Sequence, residues 1–583
     1  MSSAIAGTGI GGRRQALPTG TATGLGAEPT GAEPIDAEPI DAEAPNRMSH
    51  REILEALSGM LLAMFVAFLS STVVSNALPT IITDLHGSQS QYTWVITATL
   101  LASTASTPIW GKLADLFSKK LLIQLAIVVF IAGSMLAGLA SSVNTLIAWR
   151  VLQGLGLGGL QALVQIAMAA MISPRERGRY SGLLGSVMAV ATIGGPLLGG
   201  LLVDTSWLGW RWCFYVGVPF AAIALVLLQR TLHLPVATRS DTVRIDYLGA
   251  AYLTAGVSAL LICVTLAGND FPWASIETLL LVGGALLAVA AFVITELRVA
   301  EPLVPLRLFR EPTTALAVVA SVAIGVALYG ASVFLGQYLQ ISRGYSPTAA
   351  GLLTFPMIGG LLVSSTISGQ LISRYGRWKR FLIAGSLAVV AGFGLLSTID
   401  HTTPIPLFGV FLFVLGTGIG MTMQNLVLAV QNTVAVSDLG AASSAVAFFR
   451  SLGGTVGVSV LGAVLSARVG SLISAGMPAG AAPTGSAGSG GVGLADLAGA
   501  PAPLQHLIRV SYGDATGRVF LIGALVAVAA VVAIAFIREV ALRDESGDQR
   551  LRGSAPDGGP VPAVEVAGEA EPTRSGELAL TVG

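Results

Sequence analysis

Two arginines of the sequence lie within stretches that are otherwise apolar. Arg150 occurs in LIAWRVLQGLG and Arg450 in SAVAFFRSLGG, and neither stretch contains an acid. A buried guanidinium must find acceptors, because it is costly at membrane depth without them. Both residues are therefore candidates for the charge of a central cavity, in coupling or in substrate contact. The alternatives are snorkelling of Arg150 to a nearby surface and a structural tie of Arg450 to backbone carbonyls.

Asp115 stands at the end of another apolar stretch, in GKLADLFSKK. A carboxylate there can pair with basic residues or with the positive N-terminus of a neighbouring helix. Such a pairing can lock one conformation and release it in another. Membrane anchoring explains the lysines but not Asp115, so the sequence predicts a conformational switch. Its residues are Gly111, Asp115, Lys119 and Lys120, with Arg374 and Arg377 of a second copy, GQLISRYGRWKR.

Uncharged polar residues also occur in the apolar stretches, beginning with FLSSTVVSNALP at 68–79. At membrane depth such side chains either bond neighbouring helices or face a cavity. Gln161 and Gln165 are four residues apart and so share one helical face. The predicted substrate cavity contains Ser70, Ser71, Asn76, Gln161, Gln165, Tyr329, Gln337, Gln340, Gln424 and Asn425.

No pattern in the sequence indicates an enzyme. It contains no GxxxxGK[ST] phosphate loop in a strand context, which argues against ATP-driven transport, and no metal-ligand cluster or nucleophile–base pattern. We therefore expect no metal and no cofactor. Cys213 and Cys263 lie in or beside apolar runs, which favours packing over a disulfide. The formal net charge is zero, which gives no reason to expect a nucleic-acid partner.

The composition indicates a membrane protein with polar ends. Of 583 residues, 53% are hydrophobic and 11% are charged, whereas soluble domains have about 25% charged residues. A helix needs about 20 largely apolar residues to cross the hydrocarbon core. Fourteen spans are predicted, at 57–79, 92–110, 121–141, 145–171, 181–203, 212–229, 247–267, 277–296, 313–340, 347–372, 381–398, 405–430, 440–466 and 519–537.

The distribution of lysine and arginine supports this count. With the N-terminus inside, the inner loops carry sixteen of them and the outer loops five, as the positive-inside rule requires. We expect a multi-pass protein of the cytoplasmic membrane with both termini in the cytoplasm. Residues 1–55 and 539–583 are predicted to be disordered cytoplasmic tails. The outer loop 467–517 has the composition of a flexible linker in its middle.

Two pairs of segments repeat at a similar offset. The basic loops start at Gly111 and Gly369, 258 residues apart, and VLQGLGLGG and VLGTGIGMT start 263 residues apart. Two parallel halves around a central path are a recurrent transporter design. The offset spans eight helices rather than six. We therefore predict an all-α membrane protein with six-helix bundles at 56–232 and 312–538 and two inserted helices at 240–300.

The fifth predicted span contains GSVMAVATIGGPLLGG, residues 185–200. Small residues let helices approach closely, and a Gly-Pro pair can kink a helix. Dense packing of this kind is expected to seal a bundle interface against leak, and generic close packing gives the same pattern. The residues of this motif are Gly194, Gly195, Pro196, Gly199 and Gly200.

These motifs resemble those of the major facilitator superfamily, in its fourteen-helix drug:proton antiporter branch (EmrB/QacA type), over residues 50–540. GKLADLFSKK resembles the loop signature G-x-L-A-D-R-x-G-R-K, and WRVLQGLG contains the fourth-helix signature R-x-x-Q-G. The glycine motif resembles the antiporter signature, and WRWCFYVGVP resembles W-R-W-I-F-Y-I-N-V-P. The resemblance implies the major facilitator fold, alternating access and export of amphipathic, often cationic compounds by proton antiport.

The first helix departs from that branch at one position. The branch signature is close to L-D-x-T-V-V-N-V-A-L-P, and Ser70 stands where it has the acid. Proton-coupled carriers commonly use a buried carboxylate, and no Asp or Glu lies deep in a predicted span. This difference weakens the expectation of cation:proton antiport. It favours neutral or anionic substrates, with Arg150 or Arg450 as the counter-charge.

The sequence thus predicts a secondary transporter that exports hydrophobic or amphipathic small molecules, with the proton gradient as the expected energy source. A dedicated exporter of an endogenous lipid or secondary metabolite is the alternative within this class. A non-transporting membrane sensor or assembly partner is the alternative outside it. The expected partners are a small-molecule substrate and the lipid bilayer, and the expected oligomeric state is a monomer.

Overall fold

A computed structural model of the chain describes residues 50–87, 89–205, 208–232, 246–267, 271–299, 302–477 and 501–545. The regular elements of these residues are helices. The α-helices are α1 (His50–Asp84), α2 (Gln89–Leu116), α3 (Lys119–Gly138), α4 (Val143–Met171), α5 (Pro174–Asp204), α6 (Trp212–Tyr215), α7 (Gly217–Thr231), α8 (Tyr247–Leu266), α9 (Ile276–Glu296), α10 (Pro312–Gln337), α11 (Pro347–Leu353), α12 (Phe355–Tyr375), α13 (Lys379–Leu396), α14 (Ile405–Thr433), α15 (Leu439–Gly476) and α16 (Ala502–Phe536). Two 3-10 turns, Leu306–Arg310 and Val436–Asp438, and a π turn, Tyr338–Ser342, complete them.

Each of the fourteen predicted spans corresponds to one helix or to two consecutive helices. Span 212–229 is formed by α6 and α7, and span 347–372 by α11 and α12, where Pro356 lies in the first turn of the second helix. Among the described residues, twelve helical segments are long and apolar enough to cross a membrane. The two remaining spans are α2 and α5, which have 28 and 31 residues but are rich in Ser, Thr and Gly.

Local signals in the sequence set several helix ends. Ser142 and Thr145 form a capping box that begins α4, and the Ser173 hydroxyl accepts from the backbone N–H of Glu176 ahead of Pro174, which begins α5. Such caps satisfy backbone groups that have no partner within the helix. At the end of α12, Gly376 adopts a left-handed conformation with φ of 71°, which glycine does without steric cost.

The helices form two bundles with separate apolar cores. The first core lies among α1 to α7, and the second lies among α10 to α16. The inserted helix α8 packs where the bundles meet, against α2 and α15, through Leu253, Val257 and Phe448. The inserted helix α9 packs on α8 and exposes most of its apolar side chains, as a lipid-facing helix does.

Some element ends differ from the sequence predictions. α1 begins at His50, so six residues of the predicted N-terminal tail are helical. α15 continues to Gly476 and α16 begins at Ala502, so helix occupies both ends of the predicted loop 467–517. Residues with high helix propensity occur in both extensions, among them Leu472 of α15 and Leu504 of α16. Helix propensity does not depend on hydropathy alone, so these helices extend beyond the apolar spans. The linker-like middle of that loop and the tails before residue 50 and after residue 545 lie outside the described residues.

The predicted C-terminal tail starts with an ordered segment, residues 537–545, which we call the C-terminal strap. The indole N–H of Trp378 donates to the carbonyl of Val540 at 2.8 Å. The side-chain amide of Asn432 donates to the carbonyl of Ala541 and accepts from the N–H of Arg543, both at 3.0 Å. The prediction of a disordered tail is therefore wrong for 539–545, because paired buried polar groups hold these residues.

Candidate functional site

We call the side of the protein on which α2 ends and α15 begins the inner side, following the predicted orientation. On this side, Asp115 of the first bundle reaches the N-terminus of α15 in the second bundle. Its two carboxylate oxygens accept from the backbone N–H groups of Gly440 and Ala441 at 2.8 and 2.9 Å. Free N–H groups and the helix dipole both favour a carboxylate there. The structure thus places Asp115 at the positive end of a neighbouring helix.

The N-terminus of α15 is capped from the other bundle and not by its own N-cap residue. Asp438, its own N-cap residue, makes no side-chain cap hydrogen bond. Its carboxylate instead pairs with Arg307 of the segment between the bundles, at 2.9 Å. Asp115 of the opposite bundle therefore supplies a contact that most helices obtain from the residue just before them.

Close backbone packing brings Asp115 to this position. A Cβ added to Gly111 would lie 2.0 Å from the Ser444 hydroxyl, and one added to Gly440 would lie 2.3 Å from the Gly111 carbonyl. Among the other predicted switch residues, Lys119 is electrostatically coupled to Asp115. Lys120 instead donates to the carbonyl of Gln229 at 2.8 Å, near the end of α7.

The second copy of the basic loop is built differently. Ser373 stands where the first copy has Asp115, as GQLIS aligned with GKLAD shows. Its carbonyl accepts from Arg175 in the first turn of α5 at 3.4 Å. Arg374 and Arg377 are exposed, and the contact described for Arg374 is with the adjacent Tyr375 ring. The structure therefore does not bring these two predicted switch residues to the bundle interface.

Two further polar pairs connect the bundles near their inner ends. Gln165 of α4 donates to Gln424 of α14 at 2.9 Å. Arg177 of α5, which is 5% exposed, donates to the side-chain oxygen of Gln431 and to the carbonyl of Ile172. With Asp115, these contacts lie within ten residues of the inner ends of their helices. The described polar contacts thus join the two bundles on the inner side.

Arg150 lies in a buried polar network inside the first bundle. Its guanidinium donates to the side-chain oxygen of Gln153 and to the carbonyl of Val95. The amide nitrogen of Gln153 donates to the hydroxyls of Ser134 and Ser70, at 2.7 and 3.1 Å. Arg150 and Ser70 are each 3% exposed. The structure therefore rejects snorkelling for Arg150, and it places Ser70 among helices rather than on an open cavity wall.

Arg450 lies at the contact between α10 and α15 without an acceptor. Its guanidinium makes no hydrogen bond or ion pair within the part of the chain that the structure describes, and the residue is partly exposed. The tie to backbone carbonyls, one of the two expectations for this residue, is therefore absent from the described contacts. The phenol of Tyr329 is within electrostatic reach of the guanidinium.

The other predicted cavity residues are not brought into one described cluster. Asn425 is buried and donates to the carbonyl of Met421 in its own helix, which is a helix-internal bond. Ser71, Gln161, Gln337 and Gln340 are partly exposed. For Asn76 the helix position is described, but its side chain lies outside the described residues. A cavity formed by these side chains remains a prediction.

The glycine motif of α5 packs against the first helix. A Cβ on Gly195 would lie 2.0 Å from the Thr72 hydroxyl, and Gly194 faces Leu69. Thr72 is within 3.1 Å of the carbonyl of Ala191 in the same motif. Gly199 is buried, whereas the burial of Pro196 and Gly200 is not described. The motif thus provides the close packing that the sequence predicts.

Sequence reasoning missed three contributors to the site. Arg177 counts only among the sixteen basic residues of the predicted inner loops, although it is buried at the bundle interface. Gln153 and Gln431 were not selected, although each accepts from an arginine and donates to serine. Gln153 is the glutamine of the fourth-helix signature R-x-x-Q-G and stands near an arginine in a stretch without an acid. These two signals identify Gln153 but neither Gln431 nor Arg177.

Comparisons with known proteins agree with this architecture. The family model of the Major Facilitator Superfamily matches residues 60–458. An uncharacterized MFS-type transporter of Mycobacterium tuberculosis (strain H37Rv) is 37% identical over 87% of this chain and 72% of its own length. The multidrug transporter protein MdtP of Bacillus subtilis (strain 168) is 34% identical, over 73% of this chain and 77% of MdtP. The efflux pump FUS6 of Gibberella moniliformis is 32% identical, over 70% of this chain and 73% of FUS6.

A solved structure shows the same fold. The proton:xylose symporter XylE matches with a TM-score of 0.57 over 86% of this chain and 98% of that chain, at 14% sequence identity. The helical bundles, the contact of the first basic loop with the opposite bundle and the similarity to these relatives all agree. The chain belongs to the Major Facilitator Superfamily, a family of multi-pass membrane transporters and not of enzymes.

Proposed function

We propose that this protein is a secondary active transporter that exports hydrophobic or amphipathic small molecules across the cytoplasmic membrane by alternating access. The observation that carries the proposal is the cap of α15 by Asp115 of the opposite bundle. A cap supplied by the opposite bundle exists only while the inner ends of the two bundles are together. Opening of the inner side must therefore break it, which makes the contact a switch between two conformations.

The relatives support the substrate class and the direction. MdtP is named a multidrug transporter and FUS6 an efflux pump. A multidrug role needs an adaptable site of uncharged polar and apolar groups. The partly exposed Ser71, Gln161 and Gln340 supply uncharged polar groups of this kind on α1, on α4 and on the π turn after α10.

We also propose that the proton gradient supplies the energy and that Asp115 is an acid on which it acts. Position 70 is a serine, so the acid of the first-helix signature is not available. The Asp115 carboxylate accepts from two backbone N–H groups of the other bundle, so its environment changes whenever the inner side opens. A carboxylate that gains and loses such partners changes its proton affinity.

The decisive experiment is transport by the full chain in proteoliposomes. Fluorescent lipophilic compounds of neutral, cationic and anionic charge are offered with and without an imposed pH gradient, and empty liposomes are the control. Export of several unrelated compounds, abolished by a protonophore, is expected. Movement of none of them would contradict the multidrug proposal and would direct attention to a dedicated endogenous substrate. Movement that is indifferent to the pH gradient would contradict proton coupling alone.

A further inference from the structure

Arg450 lies close to the middle of the membrane-crossing part of α15. It is eleven residues beyond Leu439, where the helix begins on the inner side, which corresponds to about 17 Å along the axis at 1.5 Å per residue. The hydrocarbon core is about 30 Å thick. A guanidinium at this depth that faces lipid is strongly disfavoured, so we expect its exposed part to face a polar space inside the protein.

The position of Arg450 is fixed by close packing of α10 on α15. A Cβ on Gly325 would lie 2.0 Å from the Arg450 carbonyl, and one on Gly454 would lie 2.4 Å from the Tyr329 ring. Gly454 is one turn beyond Arg450, and the Tyr329 phenol is within electrostatic reach of the guanidinium. The backbone of Arg450 is thus held against α10, near the Tyr329 ring.

Arg450 differs from the two other arginines at comparable sites. Arg150 and Arg177 each donate to a glutamine oxygen and to at least one backbone carbonyl. Arg450 has five N–H donors and uses none of them in a described contact. Its hydrogen-bonding capacity is therefore available to a ligand.

The surrounding helices do not neutralise this charge. In the described α-helices that cross the membrane, every Asp and Glu except Asp514 lies within six residues of a helix end. Asp514 is exposed on the outer extension of α16. A site with an unpaired guanidinium and no nearby acid attracts an anion and repels a cation.

We propose that Arg450 and Tyr329 form the polar end of a binding site for lipophilic organic anions such as sulfonates and carboxylates. The guanidinium binds the two oxygens of the anion with paired N–H donors, and the Tyr329 hydroxyl donates a further hydrogen bond. Transport of these anions rests on the proposed function, whereas their binding at the site does not depend on it. It reverses the cationic preference that the resemblance alone implies.

The test uses two permanently charged probes of similar size and opposite sign, 2-naphthalenesulfonate and N,N,N-trimethyl-2-naphthylammonium. Binding to the full chain in detergent and transport in proteoliposomes are measured separately. The expected result is at least tenfold tighter binding of the sulfonate than of the ammonium probe. Arg450→Gln should remove that preference, Arg450→Lys should retain part of it, and Tyr329→Phe should weaken sulfonate binding about threefold.

Arg468→Gln is the matched control, because Arg468 is exposed on the same helix beyond the predicted span, and it should leave binding unchanged. Thermal melting of each variant separates loss of the site from loss of the fold, and Arg450→Lys covers the case in which Arg450→Gln does not fold. Equal binding of both probes, no binding of the sulfonate, or an equal effect of Arg450→Gln on both would overturn the site. Arg450-dependent binding without transport would contradict the transport proposal and leave the site standing. Transport of the ammonium probe alone would contradict the anion site and leave the transport proposal standing.

Discussion

The hydroxyl of Ser70 accepts a hydrogen bond of 3.1 Å from the amide of Gln153, whose oxygen is in turn an acceptor for Arg150. The residue that replaces the acid of the first-helix signature therefore lies in the same network as the buried arginine. With no carboxylate in the network, the charge of Arg150 is met by neutral dipoles alone. Neutral acceptors can satisfy the hydrogen bonds of a guanidinium, but they do not take up a proton near neutral pH as a carboxylate does.

Ser70→Asp should therefore create a proton-sensitive site in the first bundle. The new carboxylate would lie next to Gln153 and within the electrostatic field of Arg150, which favours its charged form, while burial favours its neutral form. We expect stimulation of transport by an imposed pH gradient to rise about threefold or more over the wild type. Ser70→Asn is the control, since it adds similar volume without a titratable group. An equal response of both variants would show that position 70 does not act through its charge.

Asp115→Asn should slow transport by weakening the inner-side closure. An amide has one oxygen and no charge, so it cannot replace a carboxylate that accepts from two N–H groups at a helix N-terminus. Loss of a cap costs about 0.5–2 kcal/mol, which shifts the balance between the two conformations by about 2-fold to 30-fold. Transport in proteoliposomes and accessibility of a cysteine introduced on the inner side measure the effect.

The second loop copy provides the control for this prediction. Ser373 occupies the position that corresponds to Asp115, but its hydroxyl makes no described hydrogen bond. Ser373→Ala should therefore leave both transport and accessibility close to those of the wild type. If Ser373→Ala slowed transport as much as Asp115→Asn, the asymmetry between the two loops would have no functional meaning.

Gly111→Ala should disturb the same interface by steric overlap. The added Cβ would meet Ser444 at 2.0 Å and the Gly440 carbonyl at 2.9 Å, and both belong to a helix of the opposite bundle. Overpacking of this kind costs about 1–3 kcal/mol, which here acts only on the conformation with the inner side closed. Gly394→Ala on α13 is the matched control, because a Cβ there meets nothing within 4 Å. The variant should increase inner-side cysteine accessibility, and an unchanged value would contradict the interface.

The sequence was sufficient to predict the helices but not the contacts between bundles. Apolar length predicts each span through the thickness of the membrane, and the repeat at Gly111 and Gly369 predicts two halves. Asp115 could be connected with a helix N-terminus because free N–H groups attract carboxylates wherever they occur. Which helix it caps is set by the approach of Gly111 to Gly440, a contact 329 residues apart in sequence.

Glutamine was the residue type for which sequence reasoning was least informative. Gln165 and Gln161 share a helical face, yet the structure joins only Gln165 to the opposite bundle. Gln153 and Gln431 orient buried arginines, a role that depends on the neighbouring helices and leaves no periodic signal. A polar side chain in an apolar run indicates that a partner exists, whereas the identity of the partner follows from packing.

Asn432 should anchor the C-terminal strap far more strongly than Asp544. Asn432 is fully buried and bonds the backbone of Ala541 and Arg543, so Asn432→Ala removes two hydrogen bonds that contribute about 0.5–1.5 kcal/mol each. Asp544 pairs with Arg175 at 3.1 Å, but the two side chains are 62% and 47% exposed. Exposed pairs contribute about 0–1 kcal/mol, so Asp544→Ala should have little effect.

Limited proteolysis of the purified full chain and thermal melting in detergent test this difference. Asn432→Ala should lower the melting temperature and increase cleavage within residues 537–545, because the strap detaches when its buried anchor is removed. Asp544→Ala, the matched control at the exposed end of the same segment, should change neither. A larger effect of Asp544→Ala than of Asn432→Ala would mean that the ion pair between the strap and the first bundle, and not the buried amide, holds the segment in place.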